Sequence, residues 1–203
     1  MNAVCPARQS RRVTKSELRA SIAARFRASA VSAADREAAS GAICQAIRRH
    51  PAWDGAKSVA AFLALPSEPQ LATLWETGPE RQFCFPRIRG DRVELIHLAD
   101  HELLRRSDWK FESDELATAP VIPPGEIDLF LVPGFAFTAS GQRLGRGGGF
   151  YDRLLARRSA QSIAIGVCFS ARIVEALPRE SHDQDVDLVV TECGVMSHTP
   201  RAR

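Results

Sequence analysis

The chain has 203 residues, 45% of them apolar and 25% charged, with 13 glycines and 12 prolines. That composition builds one core-forming domain and excludes a disordered chain, a collagen repeat and a disulfide-held miniprotein. Its longest apolar run, residues 59–65, is far short of the ~18 residues that cross a membrane.

The formal net charge is +3, but residues 1–30 carry +6 and the remainder −3. Basicity therefore belongs to one end, and a solvated arm with a basic helix face accounts for it. Cys5, Cys44, Cys84, Cys168 and Cys193 are odd in number and include no C-x-x-C pair, the usage of free thiols in a reducing compartment. Residues 1–12 lack an apolar signal core, so the expected location is the cytoplasm. The expected organisation is a flexible arm over 1–13, one α/β domain over 14–196 and a short tail over 197–203.

Thr14-Lys15-Ser16-Glu17 is a capping box that starts a helix, and Leu18, Ile22 and Phe26 give it an apolar stripe at spacing four. Lys15 and Arg19 share a face beside that stripe. A second helix spans 32–49 and closes at His50-Pro51. Strands and helices then alternate: strand 58–63, helix 71–76, strand 83–86, strand 92–98 with Val93, Leu95 and His97 on one face, strand 127–132, helix 150–158, strand 163–168, helix 170–177 and strand 188–191. Strands this apolar, interleaved with helices, predict a mainly parallel sheet covered on both faces. Residues 108–125 are polar and proline-rich and predict a covering loop. His97 and His101 are four apart, but strand geometry does not bring them together as metal ligands. Trp53 and Trp75 are expected to pack helices, Trp109 to lie in the loop, and Cys168 to be core.

The informative stretch is residues 132–152. It leaves a strand end, passes a loop with four glycines in five positions (145–149) flanked by Arg143 and Arg146, and enters a helix at Phe150-Tyr151-Asp152. Open α/β sheets bind ligands at such strand ends. Clustered glycines let backbone amides close on an anion, and arginines grip phosphate through two nitrogens. Neither common nucleotide fingerprint fits, since no Lys-Ser or Lys-Thr follows the glycines and the loop does not follow its strand at once.

The run Arg-Leu-Gly-Arg-Gly-Gly-Gly-Phe-Tyr-Asp at 143–152, preceded by Pro-Gly-Phe-Ala-Phe, resembles the signature of the 5-formyltetrahydrofolate cyclo-ligase (5,10-methenyltetrahydrofolate synthetase) family. Lys-Ser-Glu-Leu-Arg at 15–19, Phe-Leu-Ala-Leu-Pro-Ser-Glu at 62–68 and His182-Asp183 extend the likeness over about residues 14–192. The resemblance implies a three-layer α/β/α, Rossmann-like fold with an open, mainly parallel sheet and N-terminal helices. It also implies ATP- and magnesium-dependent closure of 5-formyltetrahydrofolate to the 5,10-methenyl form. Carried over, ATP would be held by Lys15, Arg19, Arg143, Leu144, Gly145, Arg146, Gly147, Gly148, Gly149, Phe150 and Tyr151. The folate would be held by Leu63, Glu68, Arg146, Gly147, Gly148, Gly149 and Phe150, and Mg²⁺ by Asp152 and Asp183, with Arg146 and Lys15 as catalytic groups.

A formamide oxygen is a poor leaving group because of amide resonance, and phosphorylation by ATP would turn it into phosphate. The protein would then supply alignment and charge compensation. The sequence differs from the common family wording at Thr138, where Asp is frequent, at Gly148, where some members have Lys, at Phe150, where Tyr is usual, and after Trp109 on the folate-side loop. The alternatives are a relative on the same scaffold with another small-molecule substrate and a nucleic-acid binder using the basic arm, whose affinity would fall steeply with salt. The expected partners are ATP and a reduced formyl-folate, with no nucleic acid or membrane, on a monomer or weak dimer.

Overall fold

In the computed structural model, residues 13–28, 32–76, 81–90, 92–98 and 117–197 are described. The Thr14 amide donates to the Glu17 carboxylate at 2.9 Å and the Glu17 amide to the Thr14 hydroxyl at 3.2 Å, so α1 (Lys15–Ala28) starts at the capping box. Ser32 and Asp35 form a second box at the head of α2 (Ala33–Arg48). α2 closes just before His50-Pro51 as expected, and a new helix starts there: proline is pre-set for a first turn, the His50 ring accepts from the Ala52 amide, and a short α3 (Pro51–Gly55) follows.

Next come β1 (Ser58–Ala60), α4 (Thr73–Glu76), β2 (Gln82–Arg89), β3 (Arg92–His97), β4 (Val121–Ile122) and β5 (Leu129–Pro133). A two-stranded ribbon of β6 (Ala136–Phe137) and β7 (Arg143–Leu144) precedes α5 (Phe150–Leu155), β8 (Ile163–Val167), β9 (Leu188–Thr191) and β10 (Gly194–Ser197). The main sheet runs β10-β9-β8-β5-β1-β2-β3-β4. Its centre, from β9 to β2, is parallel, and the outer strands are antiparallel.

Alternation along the strands supplies two cores. Leu129, Leu131, Val59 and Ile165 face Ile43, Ile47, Trp53 and Leu74 of the first helices. Phe130, Val132, Ala164 and Val189 face Leu154 and Leu155 of α5. The expected three-layer α/β/α sheet is therefore present. Trp53 and Trp75 both pack against Phe83, and the His97 ring lies 3.0 Å from the Phe83 carbonyl, a structural role. His101 and Trp109 lie outside the described residues.

The helix expected over 170–177 is not formed. A 3-10 turn at Ser170–Arg172 is all that is helical there. Ile173 then bridges Phe137 in parallel, and the Val174 amide donates to the Phe137 carbonyl at 2.9 Å. The ribbon takes the backbone groups a helix would need, and β-branched Ile173 and Val174 accept the extended form readily. The first strand is shorter than expected, because the chain turns toward the cleft after Ala60, and α5 ends three residues earlier than expected. The ribbon and β10 were not anticipated, nor was β4, which lies in the stretch 108–125 expected to be loop and pairs with β3 through Leu95 and Ile96.

The ribbon matters because it carries the loop. Ile22 and Leu18 of α1 pack on Ala136, Leu144 and Phe135, which fixes the helix bearing Lys15 and Arg19 beside the glycine-rich loop. At the ribbon's turn Gly141 has φ +83, and a Cβ there would lie 2.3 Å from the Val186 carbonyl oxygen. Only glycine allows this approach. The Gly141 carbonyl accepts from the Val186 amide at 2.9 Å, tying the ribbon to the segment that carries Asp183. Among the described residues no helix is long and apolar enough to cross a membrane.

Candidate functional site

β1 leads to β2 on one side and lies against β5 on the other, so the chain diverges between β1 and β5. That is the switch point where open sheets hold ligands, beyond the carboxyl ends of their strands. A cavity of about 840 Å³ lies there. Phe62, Leu63, Leu65 and Glu68 reach it from the end of β1, Pro133 and Gly134 from the end of β5, and Lys15 and Arg19 from α1. Arg143 and residues 145–152 come from the ribbon and loop, and Glu180, His182 and Asp183 from the segment before β9.

Every expected site residue except Leu144 lines this cavity. Leu144 is buried behind the loop against Ile22 and Ala136. Thr138 is buried too and closes the ribbon turn, with its hydroxyl accepting from the Gln142 amide at 3.1 Å. Three residues of the wall, Pro86, Ile88 and Val93, went unread. They form an apolar face on the β2–β3 hairpin, where Ile88 and Val93 are cross-strand partners. Pro86 and Val93 fall in expected strands and Ile88 beyond them, and none is marked as a cleft residue; the signal is Ile88's exposure of 48%, visible only once folded.

Cations and carboxylates of the cavity are paired. The Lys15 ammonium donates to both oxygens of Asp183 at 2.7 and 2.8 Å and lies 3.4 Å from Glu180. Arg146 donates to one oxygen of Glu68 at 2.7 and 3.1 Å, while the other oxygen accepts from the Leu65 amide at 3.0 Å. Arg143 donates to Oδ1 of Asp152 at 2.6 Å, which also accepts from the Gln184 amide at 3.1 Å. Arg19 donates to the Gly145 carbonyl at 2.9 Å, holding the loop against α1. Burial alone would raise the Asp183 carboxyl, but hydrogen bonds and charge from Lys15 outweigh it and hold the group below its ordinary value.

Arg143 was expected to flank the loop and grip phosphate. Its side chain is instead almost fully buried beneath the loop, its Nε without a partner among the described residues. Tyr151 beside it has a buried hydroxyl, also unpartnered. Burial, with Glu68 adding to it, pushes that phenol well above its ordinary value, so it is a neutral donor. Both side chains belong to the cavity wall, yet these two donor atoms are themselves shielded and have no acceptor among the described residues.

The loop turns into α5 at Gly149, whose φ of +63 leaves a residue with a side chain disfavoured. Asp152, in the first turn, keeps Oδ2 free of any partner among the described residues. Asp183 precedes Gln184, whose amide donates to Asp152 at 3.1 Å, and both carboxylates line the cavity. Two carboxylates on a cavity lined by cations are the hard-oxygen donor set that magnesium shares with phosphates, so these residues fit that ion. Glu180, His182 and Asp183 also bring donor atoms within 4.8 Å of one another, but the Lys15 ammonium already sits on two of them.

The model of the 5-formyltetrahydrofolate cyclo-ligase family matches residues 11–192. A mouse protein named 5-formyltetrahydrofolate cyclo-ligase is 28% identical over 193 residues, covering 88% of this chain and 93% of its own. One of that name from Escherichia coli K12 is 32% identical over 143 residues, covering 67% of this chain and 78% of its own. The NMR structure of Aquifex aeolicus 5,10-methenyltetrahydrofolate synthetase superposes with a TM-score of 0.77 at 29% identity, over 94% of this chain and 96% of that one. With the four-glycine loop, the switch-point cleft and this match over most of its length, the chain belongs to the 5-formyltetrahydrofolate cyclo-ligase family of ligases.

Proposed function

We propose that this protein cyclises 5-formyltetrahydrofolate to 5,10-methenyltetrahydrofolate using ATP and magnesium, releasing ADP and phosphate. The observation that carries the reading is the convergence of Lys15, Arg19, Arg143, Arg146, Asp152 and Asp183 on one switch-point cavity beside the four-glycine loop, in a chain of this family.

The formyl oxygen attacks the terminal phosphorus of ATP and ADP leaves, so the oxygen becomes part of a phosphate ester on an imidate-like carbon. The second nitrogen adds to that carbon and loses its proton. Phosphate then departs with the original formyl oxygen, leaving the methenyl bridge. No covalent enzyme nucleophile is needed; the residues align the reactants and match charge as it moves.

The ligand-free ion pairs have a role in this sequence. Lys15 moves from Asp183 to a phosphate oxygen, and Asp183, with the free oxygen of Asp152, would hold Mg²⁺. When bound, Mg²⁺ neutralises charge on the phosphate oxygens. Arg146 moves from Glu68 to the transferring phosphoryl group, and Glu68 turns to the folate. Each exchange gives the released group a new polar partner, so the ligand-free pairs keep the cleft's charges matched until substrates arrive. Leu63, with the unread apolar wall, offers surface to the flat ring system. The glycine-rich loop brings backbone close to the phosphates, with buried Arg143 and Tyr151 supporting it from beneath.

The test follows methenyl absorbance with 5-formyltetrahydrofolate, ATP and magnesium. Product that requires all three is expected. Product without ATP, or ATP turnover that ignores the folate, overturns the reading.

A further inference from the structure

Arg172 ends the 3-10 turn after β8, and the Glu192 carboxylate pins that turn by accepting from the Ser170 amide at 2.9 Å. The residue is 6% exposed, yet among the described residues no carboxylate pairs with it. Its guanidinium lies instead between two rings, 4.1 Å from the centroid of Phe26 on α1 and 4.7 Å from that of Phe135 at the foot of the ribbon. Nη1 donates to the Phe135 carbonyl at 3.4 Å. Phe26 in turn stacks on Phe169, at the end of β8, with centroids 6.2 Å apart. A second cation also lies over the Phe135 ring: the Arg146 guanidinium, 5.7 Å from its centroid.

A buried guanidinium with no carboxylate in contact, and Glu68 acting on it only through space, is expensive, and aromatic faces offset only part of that. An apolar side chain would fill the space between Phe26 and Phe135 more simply. A planar cation adds a fixed orientation for the Phe135 ring, through stacking and the carbonyl bond, and a like charge that opposes Arg146 moving inward. Two contacts locate Arg146 in the ligand-free cleft, Glu68 and the Phe135 face. Once a phosphate draws Arg146 off Glu68, the Phe135 face is what remains.

We propose that Arg172 is a positioning residue for Arg146, acting through the Phe135 ring that both guanidinium groups share. It touches neither substrate, and its role rests on Arg146 being the phosphate-side cation of the proposed reaction. Misplacing such a group by an ångström can slow turnover by about 10²-fold, so Arg172→Met should lower kcat by about tenfold or more while the KM for the folate stays within about twofold.

A double-mutant cycle with Arg146→Ala separates positioning from general destabilisation. In the Arg146→Ala background, Arg172→Met is expected to cause no further loss of kcat, and Arg172→Lys, which keeps charge but not the planar stack, is expected to stay as slow as Arg172→Met. Losses that multiply, or full rescue by lysine, overturn the role. If circular dichroism shows that Arg172→Met does not fold, Phe135→Leu takes its place in the same cycle with the same expectations. Wild-type protein that forms no methenyl product refutes the functional reading, whereas an active wild type with multiplicative losses refutes only Arg172.

Discussion

Replacing Glu68 by glutamine should tighten nucleotide binding while weakening the fold and the folate site. Glu68 is buried, 8% exposed at its side chain, and one of its oxygens takes both nitrogens offered by Arg146, at 2.7 and 3.1 Å. Arg146 is 45% exposed, so solvent screening leaves this pair worth only about 1 kcal/mol. In the wild type that amount opposes the transfer of Arg146 to phosphate. Glu68→Gln removes the charge but keeps an oxygen for the Leu65 amide. Without folate present, the dissociation constant for ATP or a non-hydrolysable analogue should fall about fivefold. The same loss should lower the melting temperature by about 2–4 °C, and the KM for the folate should rise. Calorimetric titration of nucleotide with magnesium, beside a thermal melt, reads both effects. Nucleotide affinity that is unchanged or weaker in Glu68→Gln would refute the exchange of partners at Arg146.

Arg146→Ala should reduce kcat by about 10²–10³-fold, the loss seen when a donor to transition-state charge is removed; unaltered steady-state kinetics would show that the loop is misassigned. Asp152→Asn should raise the magnesium concentration for half-maximal activity and, by leaving buried Arg143 an oxygen to bond but no counter-charge, should lower stability by about 3 kcal/mol. Identical magnesium titration curves for variant and wild type would reject Asp152 as a ligand. Because Lys15 holds the Asp183 carboxyl below its ordinary 3.8, the pair stabilises the fold above that value and the contribution is lost as pH falls through the depressed one. Urea unfolding should therefore show wild-type stability declining below about pH 4, with a shallower decline in Asp183→Asn; parallel pH curves would contradict the pairing.

How much of this was legible beforehand follows from how local each signal is. The caps at Thr14 and Ser32 are settled by residues three apart, and the buried strands by their own composition, so both could be read from the chain. The glycine loop, Lys15, Arg19, Glu68 and Asp183 carried their chemistry in wording, and folding brings them to one cavity. The segment after Arg172 reads locally as a helix but is extended, because its backbone partners lie in the distant ribbon at Phe137. Arg143 appears in sequence as a loop-flanking cation, and only its burial against Asp152 and Tyr151 reveals a strut beneath the loop. The apolar wall of Pro86, Ile88 and Val93 and the column through Arg172 are products of tertiary packing, with no spacing in the chain to announce them.

The central claim is that the formyl oxygen becomes phosphate oxygen. It is tested most directly by supplying 5-formyltetrahydrofolate with a heavy-isotope oxygen in the formyl group and analysing the products of a single turnover. The label should be recovered in inorganic phosphate, one atom per methenyl group formed. Label released into water, with unlabelled phosphate, would contradict the account.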